Sequence, residues 1–306
     1  MKIAAIDLGT NTFHLIIAET LNGEMKILYK ANQPVKLGED ITKENKIIPT
    51  AFERGLACLA DFKSKLAEYD VDQLRAVATS GVRSASNGQS FIQQVKINTG
   101  IEIDVIDGEE EAHLIYDAVK YSGAINGKSL IMDIGGGSTE FIFCDENGLN
   151  WKRSFDIGAA RLMQKFFKSD PIQAADQANI NAHLENTLKE LITYGKQFGA
   201  ETLIGSAGAF ETYASILQPT LNINHIATAN IDKTAYHELA AQLIASNHLE
   251  RTQIPNLIPL RVDMIVMATM ITDYVLKALN IKQIKLSTYD LKFGVLQNLA
   301  QNAGAK

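Results

Sequence analysis

The hydrophobic positions at the start of the chain predict a three-stranded meander. Residues 2–8 form an apolar run that ends at Asp7, and residues 13–20 and 24–30 continue with strand-like patterning. Asn22-Gly23 separates the last two segments, and this dipeptide is typical of a tight hairpin turn. We therefore expect the chain to open with three consecutive strands.

The pattern then changes to a helical period. Apolar residues recur at three- and four-residue spacing over residues 50–68, which predicts a helix. Beyond it we expect a strand at 74–78, a helix beginning near Ser86, whose hydroxyl could cap free amides, and a strand at 101–106. Glu109-Glu110-Glu111 then opens a helix that runs to about Tyr121, since acidic side chains are favoured at a helix N-terminus.

The second half of the chain repeats this order. An apolar run at 129–133, an alternating segment at 139–144 and a third strand-like segment at 151–157 predict another meander, with a turn at Asn147-Gly148. The remaining expected elements are helices at 159–168 and 173–198, a strand at 202–205, helices at 232–248 and 257–280, a strand at 283–287, and a last helix from 290.

A shared spacing between the halves indicates duplication. Asp7 and Asp133 are 126 residues apart, and Ser80 and Ser206, each just after a predicted strand, have the same separation. Recurrence of glycine loops by chance in an α/β protein is the alternative, but the agreement of the meander order favours a duplicated βββαβα unit.

The repeat also sets the expected domain organisation. We assign residues 1–120 to an N-terminal lobe and 121–306 to a C-terminal lobe, with the last helix, 290–306, able to pack back on the first. No Gly/Ser-rich linker separates the halves, which predicts two lobes hinged around a cleft.

Composition narrows the class of protein. The 306 residues include 29 basic and 35 acidic side chains, a net charge of −6 that argues against a protein that grips nucleic acid through its overall charge. No apolar run approaches the length of about 18 residues that a membrane span needs, and the first run is too short for a signal peptide. Cys58 and Cys144 lie in apolar stretches without metal-ligand spacing. We expect a cytoplasmic protein without a membrane or nucleic-acid partner.

Two glycine-containing loops carry the candidate chemistry. Asp7-Leu8-Gly9-Thr10-Asn11 and Asp133-Ile134-Gly135-Gly136-Gly137-Ser138-Thr139-Glu140 each place a carboxylate at the end of a strand beside glycines. Glycines let backbone amides approach phosphate oxygens, and the carboxylates can hold a divalent cation. Neither loop fits a P-loop or a dinucleotide fingerprint, because no Gly-Lys-Ser/Thr is present and the second loop runs into a strand. Plain tight hairpins are the alternative for either loop alone.

Two further features are candidates for a hydrolytic role. A glutamate at Glu109-Glu110-Glu111 could orient and deprotonate a water for in-line attack on phosphorus, although three glutamates at a helix start are also typical of a solvated face. Arg83 could supply a fork to phosphate oxygens, or be an ordinary surface arginine. The six histidines show no metal-binding spacing.

Four motifs in order resemble one family. Residues 5–15 around Asp7, Ala78-Thr79-Ser80 with Arg83, Gly108-Glu109-Glu110-Glu111-Ala112, and residues 133–140 are similar to the exopolyphosphatase/guanosine pentaphosphate phosphohydrolase family, in its short two-domain branch. The resemblance covers nearly the whole chain. It implies the duplicated actin-like ATPase fold, a ribonuclease H-like α/β architecture shared with sugar kinases and heat-shock ATPases.

The resemblance also implies an activity and the residues for it. Family members hydrolyse the terminal phosphate of inorganic polyphosphate, or the 5′ γ-phosphate of guanosine pentaphosphate, with Mg²⁺. Glu111 would be the general base, Asp133 would position the metal, and Glu140 would hold the metal or the attacking water. The phosphate-binding residues would be Asp7, Gly9, Thr10, Asn11, Arg83, Gly135, Gly136, Gly137, Ser138, Gly205, Ser206 and Gly208. A homodimer is also implied.

The sequence departs from the family pattern at three places. His113 stands where an arginine commonly follows the GEEEA segment, the loop at 205–209 lacks the usual glycine/threonine content, and residues 290–294 replace a Gly-Leu-Arg-Glu-Gly-like segment. These changes affect how the substrate is bound at positions away from the reacting phosphate. They keep open a guanosine tetra- or pentaphosphate-binding regulator with little turnover, and an ATP-using kinase or ATPase on the same fold.

Two surface features complete the expectations. The nearest basic cluster consists of Lys152, Arg153, Arg161, Lys165 and Lys168, of which the last three would share one helix face or simply be solvated. The apolar stretch at 264–268 could form a dimer interface or belong to the core.

Overall fold

The computed structural model describes residues 1–21, 24–40, 45–206 and 208–304. It divides into two compact units, one made of Met1–Ala118 with Leu291–Lys306 and the other of Val119–Asp290. The expected turn at Asn22-Gly23 lies outside the described residues, as does Ala207 of the loop at 205–209.

The first unit is built on a five-stranded mixed sheet with the order β3-β2-β1-β4-β5. The first three strands are antiparallel, and β1, β4 and β5 are parallel. The strands are β1 (Lys2–Leu8), β2 (Phe13–Leu21), β3 (Glu24–Gln33), β4 (Gln73–Ala78) and β5 (Ile103–Val105). The predicted opening meander is therefore confirmed.

Helices cover this sheet. They are α1 (Pro49–Glu68), α2 (Ser80–Arg83), α3 (Gly88–Thr99), α4 (Gly108–Tyr121) and the C-terminal α12 (Leu291–Gly304). Alternate residues of β1 and β2, such as Ile6 and Leu15, pack with Phe62 of α1 and Phe91 of α3 in one core. Helix α12 packs against β1, β2 and β4, so the last segment belongs to the first unit.

The second unit repeats this sheet with one addition. Its strand order is β10-β11-β9-β6-β7-β8, again with an antiparallel meander followed by parallel neighbours. The strands are β6 (Ser129–Ile134), β7 (Thr139–Asp145), β8 (Gly148–Phe155), β9 (Thr202–Ser206), β10 (Thr228–Ile231) and β11 (Gln283–Ser287). The sequence pattern missed β10, which pairs antiparallel with β11 at the sheet edge.

The helices of the second unit form one large core with this sheet. They are α5 (Ala159–Phe166), α6 (Ala174–Thr187), α7 (Lys189–Phe198), α8 (Gly208–Leu217), α9 (Lys233–Ala245), α10 (His248–Thr252) and α11 (Met264–Ala278), with 3-10 turns at Ile223–His225 and Pro259–Arg261. The helix expected over 173–198 is interrupted at Leu188, and the one expected from 257 begins at Met264.

The apolar stretch at 264–268 belongs to this core. Val266 and Met267 are fully buried, and Ile265 and Ala268 are nearly so. The interpretation of this stretch as core is therefore confirmed, and the homodimer stays a prediction. No helix within the described ranges has the length and apolar content needed to cross a membrane.

The strand orders confirm the duplication but correct one correspondence inferred from spacing. Asp133 pairs with Ser206 on β9, whereas Asp7 pairs with Val77 on β4. Ser80 lies three residues beyond Val77 and begins α2, so Ser80 and Ser206 do not occupy equivalent positions.

The expected capping role of Ser86 is also wrong. Helix α3 begins at Gly88 after Asn87, and the Ser86 hydroxyl donates instead to the carbonyl of Asn45 at 2.8 Å. The hydroxyl thus links the connection between α2 and α3 to the segment before α1.

Candidate active site

The first candidate loop connects β1 to β2 in the first unit and leaves no room for larger side chains. A Cβ on Gly9 would lie 2.9 Å from the carbonyl oxygen of Thr12. Thr10 is buried, and Gly81 at the start of α2 packs against it, since a Cβ there would lie 3.0 Å from the Thr10 Cα. The loop that follows β4 therefore lies directly against the β1–β2 hairpin.

A second segment braces this hairpin from the side. The Lys36 amide donates to the Asn11 carbonyl at 2.7 Å, and the Gly38 amide donates to the Thr10 carbonyl at 2.8 Å. Arg54 on α1 holds this segment, because its Nε donates to the Val35 carbonyl at 2.7 Å. The carbonyls of the hairpin are thus engaged, and its amides are what it can present to an anion.

The N-terminus of α4 places the three glutamates in different environments. Asp107 caps the helix, because its Oδ1 accepts from the amides of Glu109 and Glu110 at 2.9 and 2.8 Å. The Glu110 carboxylate is bound by Arg75 on β4 at 2.5 Å, while Glu111 is 7% exposed. One glutamate of the three is therefore buried at the helix start.

Arg83 at the end of α2 reaches this buried glutamate. Its Nη1 donates to the carbonyl of Ile106 at 2.8 Å and lies 3.5 Å from Oε2 of Glu111. The structure thus brings Arg83 and Glu111 together, which the sequence had placed in separate motifs. The guanidinium fixes the orientation of the carboxylate, and its other nitrogens can still approach a phosphate.

In the second unit, three polar side chains meet on neighbouring strands. Asp133 on β6 pairs across the sheet with Glu140 on β7 and with Ser206 on β9. The Ser206 hydroxyl donates to Oδ2 of Asp133 at 2.9 Å, and the Ser154 hydroxyl on β8 donates to Oε1 of Glu140 at 2.7 Å. The sequence missed Ser154, although its register opposite Glu140 follows from strand alternation once β8 is placed.

The glycine-rich loop at 135–138 is held by the start of α5. The amides of Ala159 and Arg161 donate to the carbonyls of Gly135 and Gly136 at 2.9 and 3.0 Å, and Nε of Arg161 donates to the Gly137 carbonyl at 2.8 Å. The Gly135 amide donates to the Ser138 carbonyl at 3.0 Å, so the amides of Gly136 and Gly137 are the groups that this loop can offer to a phosphate. Ser138, at its end, is buried.

Gly158 makes this arrangement possible. A Cβ at this position would lie 2.4 Å from the carbonyl carbon and oxygen of Gly136 and 2.5 Å from the carbonyl carbon of Gly137. Such distances are well inside van der Waals contact, so only glycine fits between the loop and the helix.

The loop after β9 combines structural and candidate binding residues. Gly205 lies under the ring of Phe210, where a Cβ would be 1.8 Å from Cγ of that ring. Gly208 begins α8 with a φ of +48°, which glycine adopts without strain. Ser206 lies between them, beside Asp133, so this loop contributes to the polar cluster mainly through its serine.

Arg261 is a polar residue of this region that the sequence analysis missed. Its Nη1 donates to the Thr212 hydroxyl at 2.7 Å, and its Nη2 lies 3.7 Å from Glu211. Burial lowers the pKa of the Arg261 guanidinium, against the opposing effects of Glu211 and Asp133. An isolated arginine in a helical segment carries no sequence signal of its own.

Asp133 and Glu140 are the residues that could hold a metal in this unit. Directly opposed residues on antiparallel strands have Cβ atoms about 4.5–5.5 Å apart, close enough to share one cation. Within the described ranges no group of three or more His, Cys, Asp or Glu side chains is arranged for a metal. Two carboxylates fit Mg²⁺, which commonly takes one or two protein carboxylates and completes its shell with water and phosphate oxygens.

The basic cluster expected from the sequence is only partly formed. Helix α5 ends at Phe166, so Arg161 and Lys165 lie on it and Lys168 lies beyond its end. The expected common helix face for all three is therefore wrong. Arg153 on β8 is paired with Glu190 of α7. His113 on α4 lies 3.7 Å from Asp117, one turn along the same helix.

Comparisons with known proteins find similarity over nearly the whole chain. The profile of the Ppx/GppA phosphatase family matches residues 16–303. A Haemophilus influenzae protein assigned as an exopolyphosphatase is 30% identical over 301 residues, which cover 98% of this chain and 92% of that protein. A guanosine-5'-triphosphate,3'-diphosphate pyrophosphatase of Aliivibrio fischeri is 31% identical over 83% of this chain, which spans half of that longer protein.

Solved structures show the same similarity. The crystal structure of an exopolyphosphatase from Cytophaga hutchinsonii matches with a TM-score of 0.95 and 36% identity, covering 99% of this chain and 98% of that one. A Ppx/GppA family member from Aquifex aeolicus matches with a TM-score of 0.84 and 25% identity over 99% of this chain and 98% of that one. The actin-like ATPase fold implied by the motifs is confirmed. The chain therefore belongs to the Ppx/GppA phosphatase family, whose members hydrolyse phosphoanhydride bonds.

Proposed function

We propose that this protein is a magnesium-dependent exopolyphosphatase that releases terminal orthophosphate from inorganic polyphosphate, and that guanosine pentaphosphate is a second substrate. The observation that carries this proposal is the buried Glu111 carboxylate, held by Arg83 at the N-terminus of α4. Similarity to the Cytophaga hutchinsonii exopolyphosphatase over 99% of the chain supports polyphosphate as the first substrate.

In the proposed reaction Glu111 accepts a proton from water while the water oxygen attacks the terminal phosphorus. The anhydride P–O bond breaks, orthophosphate is released, and the shortened chain leaves with the bridging oxygen. Arg83 keeps the Glu111 carboxylate in one orientation, which a general base needs in order to aim a single water. Positioning and charge stabilisation supply most of the rate enhancement in phosphoryl transfer.

The phosphate groups would be bound by backbone amides of the two glycine-containing loops. Gly136 and Gly137 offer amides while their carbonyls accept from the start of α5, Ser138 adds a hydroxyl, and the Gly135 amide closes the loop through its bond to the Ser138 carbonyl. In the first unit, the hairpin at 9–11 offers amides for the same reason. These donors are fixed by the fold, so they cost little reorganisation when a phosphate binds.

Asp133 and Glu140 would hold the Mg²⁺. The bound cation would neutralise charge on the phosphate oxygens during the reaction. Ser206 and Ser154 each donate to one of these carboxylates, which fixes the orientation of both carboxylates.

One observation favours a second candidate function. His113 replaces the arginine common after the GEEEA segment, and it lies beside Asp117 on the exposed side of α4. Without this arginine the substrate would be held less firmly for reaction, which would suit a guanosine tetra- or pentaphosphate-binding regulator with little turnover.

The test is phosphate release from long polyphosphate, tripolyphosphate and guanosine pentaphosphate, with and without Mg²⁺. Glu111→Gln should bind each substrate with near wild-type affinity and lose nearly all turnover. Glu109→Gln, on the exposed side of the same helical turn, is the matched control and should retain activity. Equal turnover by wild type and Glu111→Gln would refute the role of Glu111, and tight nucleotide binding without release from any substrate would favour the regulator.

A further inference from the structure

We infer that Lys36 binds a phosphate group of the substrate beside the β1–β2 hairpin. This inference rests on the proposed function, because it assigns a further contact to the same polyphosphorylated substrate. None of the motifs singled out in the sequence includes this residue. It follows from three observations in the first unit: the backbone of Lys36, its bond to the hairpin, and its uncommitted charge.

The backbone of Lys36 is unusual for a lysine. In the described part of the chain, six residues other than glycine have a positive φ. They are Lys36, Asp40, Asn45, Asp70, Asn256 and Asn280. Five are aspartate or asparagine, the types that tolerate the left-handed conformation best. Lys36, with a φ of +50°, is the exception, so the backbone alone does not explain why lysine stands there.

The surrounding contacts hold this conformation in place. The Lys36 amide donates to the Asn11 carbonyl at 2.7 Å, and the Lys36 carbonyl accepts from Nη2 of Arg54 at 3.2 Å. Both peptide groups of the residue are therefore fixed against the hairpin and α1. Asparagine or glycine would satisfy these backbone bonds with less strain, which points to the side chain as the reason for lysine.

The charge of Lys36 is available to a ligand. Its side chain is exposed, and the nearest acidic residue along the turn, Glu39, is bound by Arg54 at 2.6 Å. The structure gives Lys36 no carboxylate partner within the described ranges. The backbone of Lys36 is bonded to the hairpin, so its flexible stem starts beside that loop, and an ammonium group, as a point charge, binds phosphate oxygens in several positions.

The alternative is that Lys36 is a solvated lysine on a strained turn with no role in binding. Substitutions distinguish this alternative from a phosphate contact. Lys36→Gly removes the charge but relieves the positive φ, so the protein should become more heat-stable while it binds substrate less well. Lys36→Arg keeps the charge and the strain. Asp70→Gly relieves an equally positive φ, +50°, at the end of α1, and Lys63→Ala removes an exposed charge from the same helix.

The experiment measures KM and kcat for release of phosphate from polyphosphate, together with Tm. Lys36→Gly should raise KM about tenfold, the loss expected for one charge-assisted hydrogen bond. Its kcat should stay within about twofold and its Tm should rise. Lys36→Arg should keep the wild-type KM. Asp70→Gly should raise Tm alone, and Lys63→Ala should change neither KM nor Tm. An unchanged KM for Lys36→Gly would overturn the inference.

Calorimetric binding of inorganic tripolyphosphate separates failure of this inference from failure of the proposed function. If the wild type releases no phosphate but binds tripolyphosphate about tenfold more tightly than Lys36→Gly, the proposed enzyme is wrong and the lysine contact stands. If the wild type is active and both proteins bind tripolyphosphate equally, the enzyme stands and the lysine contact is wrong.

Discussion

Arg83 and Glu111 form a pair that joins two motifs separated by 28 residues. Nη1 of Arg83 bonds the Ile106 carbonyl at 2.8 Å and lies 3.5 Å from the Glu111 carboxylate. Ile106 lies in the connection between β5 and α4, so one guanidinium holds both the acid and the backbone that leads to it. Both contacts are made by the same terminal nitrogen, Nη1, at the end of a rigid, planar guanidinium.

Substitution of Arg83 should therefore affect turnover more than stability. Arg83→Lys keeps the charge but replaces the rigid guanidinium with an ammonium on a flexible stem, which orients Glu111 less well. We expect kcat to fall about tenfold or more, with a change in the free energy of unfolding within about 1 kcal/mol. Arg83→Gln should lower kcat further. Steady-state phosphate release and thermal unfolding measure the two effects. Wild-type kcat in Arg83→Lys would show that the position of Glu111 does not depend on the guanidinium.

The two meanders were predictable because they follow from hydrophobic period and turn residues, whereas the edge strand β10 was not predicted. Both meanders and the duplication appear in the sequence, and the structure confirms them. The spacing argument failed at Ser80 because the two connections from meander to fourth strand differ in length. Only the strand register, which sets Val77 opposite Asp7 and Ser206 opposite Asp133, shows this difference.

The candidate site was predictable as a set of residues but not as a set of contacts. The sequence could not say which of Glu109, Glu110 and Glu111 is buried, because that depends on the cap at Asp107 and on the distant Arg75 and Arg83. The bonds of serine hydroxyls to Asp133 and Glu140 depend on register across four strands. Such contacts between segments distant in sequence leave no local pattern.

The hydrogen bond from Ser206 to Asp133 predicts an effect on metal dependence. Ser206→Ala removes the donor at 2.9 Å from Oδ2, so the Asp133 carboxylate loses one of the groups that orient it. We expect the Mg²⁺ concentration for half-maximal activity to rise about tenfold, the lower end of typical losses on removing such a supporting bond. Saturating Mg²⁺ should restore most of kcat.

A Mg²⁺ titration of phosphate release measures this effect, with Ser154→Ala as a companion because Ser154 makes the corresponding bond to Glu140. An identical Mg²⁺ requirement in wild type and Ser206→Ala would contradict the assignment of Asp133 to the metal.

Gly158 predicts a coupling between loop packing and activity. A methyl group there would press on the carbonyls of Gly136 and Gly137, so Gly158→Ala should displace the loop or α5. We expect a loss of about 1–3 kcal/mol in the free energy of unfolding, as for overpacking elsewhere, and a large loss of kcat in the molecules that remain folded.

Gly199→Ala is the control for this prediction. That glycine ends α7 with a φ of +74° and has open space around its Cβ, so alanine there should destabilise the protein by about 1 kcal/mol through the backbone alone. Chemical denaturation and activity per folded molecule distinguish the two variants. Full activity in folded Gly158→Ala would show that the loop tolerates displacement.

Asp273 on α11 predicts a pH-dependent change in stability. Burial raises the pKa of this carboxyl above its usual value, with Tyr236 and His237 partly opposing the effect. A raised pKa in the folded state means that the folded protein binds the proton more tightly than the unfolded chain. The contribution of Asp273 to stability is therefore fully present below the unfolded pKa, about 3.9, and is lost as pH rises through the folded pKa.

Asp273→Asn removes this loss of stability, so the variant should be more stable than the wild type at pH 7.5. The difference in the free energy of unfolding should exceed the roughly 0.5 kcal/mol typical of a neutral surface change, and it should shrink toward pH 4. Urea unfolding across this range measures the difference. Asp61→Asn, at an exposed position on α1, should show no such trend. A stability difference for Asp273→Asn that stays constant from pH 4 to 7.5 would mean that the substitution acts through packing and not through the buried charge.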